Sequence, residues 1–411
     1  MNPLNVLQKS DSELYSFFDN EIKRQQSVLS FIPDENTTSP LCANLMGSIL
    51  LNGTDSTSLN KATNLEQMTC DRICKLFNAD RANIRSITIE AASRVVFQAL
   101  TSRGDVVMSL DLRKKEHCNS ENLAYRFVNF GVDPASQTLN LDVVEQQAKA
   151  CKPHLIILSP INYPLAIDYE RLSQIAKSCG AILWCDISQI AGLIAAGVLA
   201  SPLPYADVVT FASHGSMQGP QSSVILCKKD IAGMIERVSA TAGHKGLLTP
   251  QLAALSVRIH EMSLPRYKDY AKTVVDNAKA LAKGLTDGGV RVLCGGTQSH
   301  LVMVDTRNCA LSARGAQELL ADVGIRVRIC SVLTSDPNIK FDAVRFSTLP
   351  VTTRGLDTTN LEKLGKVIAA FLNNPNDFNT KELAQEVNSL SSKLPFFNPR
   401  WMEDEVAKSL A

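Results

Sequence analysis

The cysteines are the first residues whose type and spacing could do chemistry. The 411-residue chain contains eleven of them, an odd number, and no two form a C-x-x-C pair. Cys70 and Cys74 are four residues apart in a segment of helical periodicity, so both thiols could bind one metal ion. No histidine and no third cysteine lies near them in the sequence. The pattern favours reduced thiols, many of them buried as small apolar side chains, and predicts no metal site.

The composition is that of an ordinary globular protein. Lysine and arginine number 42 against 41 aspartate and glutamate, a net charge of +1, which argues against a basic nucleic-acid-binding protein and an acidic disordered tail. No segment approaches the roughly 18 unbroken apolar residues of a membrane span. The N-terminus has neither an apolar signal core nor an arginine-rich transit pattern. We therefore predict a soluble, cytoplasmic protein that binds neither nucleic acid nor membrane.

Short apolar runs alternate with helical periodicity between residues 81 and 240. Helices are predicted at residues 141–149 and 169–178, the second followed by Gly180 as is typical of a helix C-terminus. Strands separated by helices of this length imply right-handed crossovers and a mostly parallel sheet. The strands are predicted at residues 106–110, 155–158, 181–185, 208–211 and 224–227.

A second unit follows a long helical segment, residues 250–287, that is interrupted near Pro265. Its pattern predicts a smaller α+β domain. Its strands are predicted at 290–293, 301–304 and 344–346, and its helices at 313–321 and 361–372. The predicted fold class is thus α/β, with a mostly parallel large domain and a smaller C-terminal domain. The predicted divisions are residues 1–50 (arm and helix), 51–270 (large domain) and 271–411 (small domain and tail).

Five segments carry recognisable motifs. They are residues 32–40 (IPDENTTSP, like I-A-S-E-N-x-x-S-P), 186–197 (DISQIAGLIAAG, like D-x-A-H-x-A-G-L-x-A-A-G), 208–220 (VVTFASHGSMQGP, like V-V-T-T-T-T-H-K-T-L-x-G-P), 295–301 (GGTQSHL, like G-G-T-x-x-H-L) and 344–355 (like I-R-x-G-T-P…T-R-G). In this order they resemble the serine hydroxymethyltransferase family, pyridoxal-phosphate enzymes of one-carbon metabolism that act on glycine and serine. The resemblance covers about residues 12–375 and implies a fold-type I, aminotransferase-like fold.

The motif at residues 208–220 departs from the family at its lysine. The family's lysine forms the internal aldimine with pyridoxal phosphate, which needs an amine. Here the position is Gly215, so covalent attachment of the cofactor at this site is excluded. The nearest lysines in sequence, Lys228 and Lys229, lie beyond the next strand. The sequence leaves open that a distant lysine, such as Lys245, substitutes.

The family's phosphate-binding turn is altered as well. Its S-G-S-Q-A sequence binds the cofactor phosphate at a helix N-terminus, and the aligned residues 88–92 here read TIEAA. Ile89 replaces the glycine and Glu90 replaces a serine, so a carboxylate would repel the phosphate. Glu90 also suits the first turn of a helix, where it faces the positive end of the dipole. Both interpretations predict that this turn is used without phosphate.

Other parts of the family's site are missing from the sequence. Residues 51–60 lack the family's catalytic glutamate and tyrosines, and residues 242–248 keep only part of a glycine-rich phosphate loop. Gln189 stands where the family has a histidine beside the cofactor. The resemblance therefore implies the loss of the general acid/base and of much of the folate-facing wall.

Four positions still match residues with a role in the family. Asp186 matches the aspartate that pairs with the pyridinium nitrogen, and His117 matches the histidine that stacks on the ring. His214 precedes the lost lysine, and Arg345 matches the arginine that grips the substrate carboxylate in a bidentate pair. The alternatives are a strand-end aspartate that caps the next helix, two histidines in a polar cleft, and an arginine in an internal ion pair.

Three hypotheses follow from these matches and losses. The first is a non-catalytic regulatory or structural partner, a homodimer or a heteromer with an active paralogue, with no pyridoxal phosphate or only weakly bound pyridoxal phosphate. The second is an enzyme that acts on an amino acid with unattached pyridoxal or pyridoxamine phosphate and uses His214 as acid/base. The third is a module that binds a small amino acid or other carboxylate through Arg345. Ordinary hydroxymethyltransferase activity is not expected, because of Gly215.

Overall fold

The computed structural model describes residues 3–52, 59–110, 125–241, 248–336 and 338–410. The helices in this part of the chain are α1 (Pro3–Ser10), α2 (Ser12–Ser27), α3 (Pro40–Met46), α4 (Leu59–Phe77), α5 (Ile89–Leu100), α6 (Leu141–Cys151), α7 (Tyr169–Cys179), α8 (Ala191–Ala195), α9 (Lys229–Thr241), α10 (Thr249–Met262), α11 (Pro265–Asp287), α12 (Ala313–Asp322), α13 (Leu349–Arg354), α14 (Thr358–Asn373), α15 (Thr380–Ser391) and α16 (Asp404–Leu410).

The strands form one large and two smaller sheets. They are β1 (Leu29–Ser30), β2 (Arg81–Asn83), β3 (Val106–Leu110), β4 (Arg126–Phe130), β5 (Leu155–Leu158), β6 (Ile182–Asp186), β7 (Val208–Ala212), β8 (Ser223–Cys227), β9 (Arg291–Val292), β10 (Leu301–Asp305), β11 (Ile325–Arg326), β12 (Arg328–Leu333) and β13 (Lys340–Ser347).

The large sheet has the strand order β2-β8-β7-β6-β5-β3-β4. Its β4, β3, β5, β6 and β7 run parallel, and every residue of β5 and β7 is buried. Strands covered on both faces read as unbroken apolar runs, which is why the sequence predicts them well. β8 runs antiparallel to β7 because only a loop joins them. The mixed α/β architecture confirms the predicted fold class.

The parallel strands place the candidate residues Asp186 and His214 at the carboxyl ends of neighbouring strands in the large sheet. Asp186 is the last residue of β6, and His214 lies just beyond the end of β7. Asn162 lies a few residues beyond the end of β5. Because β5, β6 and β7 are neighbours and parallel, these three positions come together at their carboxyl ends.

The second sheet is antiparallel, in the order β12-β13-β10-β9, and β1 pairs with β11 beside it. β9 is shorter than the predicted strand 290–293, since Leu293–Gly295 forms a turn of 3-10 helix. α11 adds Tyr270 to the core under the large sheet and Leu281 to the core under the small sheet. The predicted boundary at 270/271 therefore lies inside one continuous helix, and the domain ranges remain a prediction.

No helix in the described residues is long and apolar enough to span a membrane.

Candidate functional site

A cleft of about 400 Å³ lies where the chain segment after β1 meets the loop between β7 and β8. Asp34 and Asn36 line it from the first segment, and His214 and Gly215 line it from the loop. Arg354, the last residue of α13, lies in the same wall. The cleft thus joins the N-terminal part of the chain, the end of the large sheet and the C-terminal part.

Gly215 leaves open space in this cleft. Its φ is +60°, and an added Cβ would meet no atom within 4 Å. Asn36 fixes the loop, because its Nδ2 donates to the Gly215 carbonyl at 2.9 Å and contacts the Tyr270 hydroxyl at 3.1 Å. Among the described residues that line the cleft there is no lysine. Lys245, named as a substitute, lies outside the described residues.

His214 lies beside Gly215 with a buried Nδ1 atom that has no hydrogen-bond partner. Burial lowers the pKa of its imidazole, while the carboxylates of Asp34 and Glu90 act in the opposite direction. The lowered pKa favours the neutral imidazole, and two carboxylates are near enough to influence it. The other candidate histidine, His117, lies outside the described residues.

Asp186 is 2% exposed and is held by neutral donors. Its Oδ2 accepts from the Thr210 hydroxyl at 2.7 Å and from the Ser188 hydroxyl at 3.1 Å. Its Oδ1 accepts from the Ser188 backbone N–H at 3.2 Å. The carboxylate thus fixes the turn after β6 and the neighbouring strand β7.

Arg345, in β13, is buried with three partners. Its Nη1 donates to the Ile161 carbonyl at 3.0 Å and to Asn162 Oδ1 at 2.7 Å. Its Nη2 lies 3.3 Å from Asp34 Oδ2, and Asp34 Oδ1 accepts from Gln189 Nε2 at 2.6 Å. The internal ion pair expected as one alternative is therefore present, with Asp34 as the partner.

The N-terminus of α5 has a capping residue, Thr88, and a carboxylate, Glu90, in its first turn. Thr88 is the N-cap residue, and its hydroxyl accepts from the Ala91 N–H at 3.2 Å. Glu90 stands in the first turn, and Ile89 packs partly buried against the core. A capped N-terminus with an acidic first turn is stable without an external anion.

Cys70 and Cys74 are free, partly buried cysteines in α4. Burial raises the pKa of Cys70 to about 12 and also raises the pKa of Cys74, so both remain thiols at neutral pH. Across the described ranges, no group of three or more His, Cys, Asp or Glu could hold a metal ion.

A sequence model of the family described as serine hydroxymethyltransferase matches residues 7–368. The chain belongs to the serine hydroxymethyltransferase family. The match spans both the large sheet and the antiparallel sheet, and with them every candidate residue. Members of this family depend on pyridoxal phosphate.

The described side chains of the cleft include no lysine that could hold pyridoxal phosphate covalently. Gly215 supplies no amine, and Glu90 puts a negative charge into the helix turn that would face the phosphate. The carboxylate of Asp186 would be the acceptor for a ring nitrogen, since a carboxylate offers about four acceptor sites.

Asp34 and His300 are the site residues that the sequence reasoning missed. The sequence signal that could have identified Asp34 is its position in the motif at residues 32–40, where the family has serine. His300 lies within the motif at residues 295–301, is fully buried, and shares a 2.8 Å hydrogen bond between its Nδ1 and the Ser347 hydroxyl. Burial, together with the nearby positive charge of Arg345, lowers the pKa of His300 to about 3.

His300 is expected to make the fold acid-sensitive. Its pKa is about 3 in the folded chain against an ordinary 6.5, so the unfolded chain binds the extra proton first and stability falls as pH drops below about 6.5. Between pH 7 and pH 5 the loss from this residue is about 2 kcal/mol. Urea unfolding at several pH values should show a flatter acid limb for His300→Asn. His154→Asn, at an exposed histidine, is the control; equal slopes for wild type and His300→Asn would contradict the assignment.

Proposed function

We propose that this chain is a non-catalytic, cytoplasmic member of its family that acts as a regulatory or structural partner of a catalytically active member. The observation that carries the proposal is Gly215, which has no side-chain amine at the position of the family's lysine. The described lining of the cleft contains no lysine that could replace it. Glu90 and Asp34 support it, since both add negative charge where the family handles anionic groups.

The surface for such a partner is the apolar face of α2. None of its residues is buried, and Leu14, Phe17, Phe18 and Ile22 all expose more than a third of their surface. Positions 14, 18 and 22 follow one helical face, with Phe17 beside them and 67% exposed. Members of this family are typically oligomers. We therefore expect this face to contact a second family subunit.

Co-expression with an active family member from the same organism tests the proposal. The expected result is a mixed oligomer by native mass spectrometry, while the isolated chain shows no glycine hydroxymethyltransferase activity. Phe17→Asp should weaken the mixed oligomer by at least about tenfold, because it buries a charge in an apolar contact. Asn20→Asp adds the same charge to the same helix and should leave assembly unchanged.

Two outcomes would overturn this function. One is hydroxymethyltransferase activity of the isolated chain that Asp186→Asn abolishes. The other is a strict self-associating dimer that excludes the active member. If that dimer is weakened by Phe17→Asp, the apolar face of α2 is an interface, but the partner is a second copy of this chain and not an active family member.

The unpartnered Nδ1 of His214 favours one second candidate, an enzyme that binds pyridoxal or pyridoxamine phosphate without a covalent bond and acts on an amino acid. A neutral imidazole with a free nitrogen can serve as acid/base. Saturable cofactor absorbance that is lost on dialysis after borohydride treatment would support this candidate. Glu90 and Asp34 weigh against it, because both oppose anionic ligands.

A further inference from the structure

Arg345 binds a carboxylate that this chain itself supplies. The arginine side chain is 2% exposed, while the side chain of Asp34 is 47% exposed and lines the cleft. The two are joined by the 3.3 Å contact between Nη2 and Oδ2. Asp34 therefore covers one edge of the guanidinium from the side of the cleft.

The contact with Asp34 leaves one donor of Arg345 without a hydrogen bond. Arg345 Nε is buried and has no hydrogen-bond partner, whereas Nη1 is fully engaged with Ile161 and Asn162. A carboxylate that met both Nε and Nη2 would form the bidentate pair that guanidinium groups prefer. Asp34 Oδ2 meets Nη2, while Nε is left without a hydrogen bond. The arginine thus keeps one unused donor, Nε, next to the donor that Asp34 occupies.

Gln189 holds Asp34 in this position. Its Nε2 donates to Asp34 Oδ1 at 2.6 Å, so the two oxygens of the carboxylate have different partners, Gln189 and Arg345. Both Asp34 and Gln189 differ from the family's residues at their motif positions, and they lie 155 residues apart in sequence. The two departures therefore form one contact.

We propose that Asp34 is an internal ligand of Arg345 that excludes free small carboxylates, such as acetate or the carboxylate of glycine, from the cleft. A tethered group competes at an effective concentration in the millimolar range or above, so a weak free ligand cannot displace it. The inference does not rest on the proposed function, because it concerns carboxylate binding by the isolated chain and neither catalysis nor a partner.

Ligand-observed NMR titration of the intact chain with acetate and with glycine tests this assignment. Asp34→Ser, which restores the motif's serine, should bind both probes at least about tenfold more tightly than wild type. Asp34→Asn removes the charge but keeps the size of the side chain, and should show a gain in the same direction. Asp34→Ser combined with Arg345→Lys should lose the gain, because lysine lacks the planar fork.

Glu35→Gln is the matched control. Glu35 lines the same cleft, and its carboxylate accepts from the Ser30 hydroxyl at 2.7 Å. This change removes one negative charge from the cleft without touching Arg345, so binding should stay as in wild type. Equal affinities of wild type and both Asp34 variants, with native near-UV circular dichroism, would overturn the assignment. A gain for Glu35→Gln as large as that for Asp34→Ser would overturn it too, since it would show general repulsion rather than occupancy.

Discussion

The double variant Gly215→Lys, Glu90→Ser is expected to form an adduct with pyridoxal phosphate that borohydride fixes at residue 215. The space at Gly215 accepts a side chain, since an added Cβ meets no atom within 4 Å. Its φ of +60° lies in the left-handed region, so a lysine there costs about 1–2 kcal/mol, which the fold can bear. Removing Glu90 takes a negative charge from the first turn of α5, the natural place for a phosphate.

Absorbance titration before and after reduction, followed by peptide mass mapping, measures this adduct. We expect none at residue 215 in wild type, a weak adduct in Gly215→Lys, and an affinity at least about tenfold higher when Glu90→Ser is added. Gly215→Met, similar in length but without an amine, is the control for space and strain. A folded double variant that forms no adduct at residue 215 would contradict the account of this cleft.

Restored attachment need not restore the family's reaction. Asp34 still pairs with Arg345, and Gln189 still holds Asp34. The chain differs from the family's motifs at Glu90, in the first turn of α5, and at Asp34, which contacts Arg345. If the proposed loss of activity is correct, we expect these two carboxylates to contribute to it together with Gly215.

The sequence predicts the large sheet well because its strands are short, continuous apolar runs. Residues 106–110 and 155–158 match β3 and β5 to the residue, and 208–211 falls one residue short of β7. The two-residue strands β1 and β11 could not be predicted. Their pairing depends on where the chain segment after α2 lies in three dimensions, and two residues carry no periodicity.

The motifs indicate some members of the candidate site, but they indicate neither Asp34 nor the contacts within the site. Asp186, His214 and Arg345 follow from the motifs, and the structure places them around the edges of β6, β7 and β13. The partner of Arg345, however, is 311 residues away in sequence. A single aspartate in an otherwise matching motif gives no indication of such a contact until the segment after β1 is placed against β13.

Arg354 is expected to be among the most costly residues to replace, because it binds two helix ends with one side chain. Its guanidinium donates to backbone carbonyls that follow or close α2 and α15, and it is 6% exposed. Burial lowers the pKa of the group. The carbonyls belong to Gln25, Gln26, Val28, Ser391, Leu394 and Pro395.

Arg354→Lys should lower the free energy of unfolding by about 3 kcal/mol, and Arg354→Ala by about 4 kcal/mol, because several buried carbonyls lose their donors. Lysine keeps the charge but offers three donors from one point, which cannot reach both helix ends. Urea unfolding measures the loss. Arg24→Lys, at an exposed arginine paired with Glu21, should change stability by less than about 0.5 kcal/mol.

Hydrogen exchange separates this role from a general loss of stability. If Arg354 joins the two helix ends, Arg354→Lys should increase amide exchange in α2 and α15 at urea concentrations where β5 and β6 remain protected. The same variant should weaken any oligomer formed through Phe17, because α2 would no longer be held against the body of the protein. Uniform exchange across all elements, with assembly unchanged, would show that Arg354 stabilises the core and has no part in presenting the apolar face of α2.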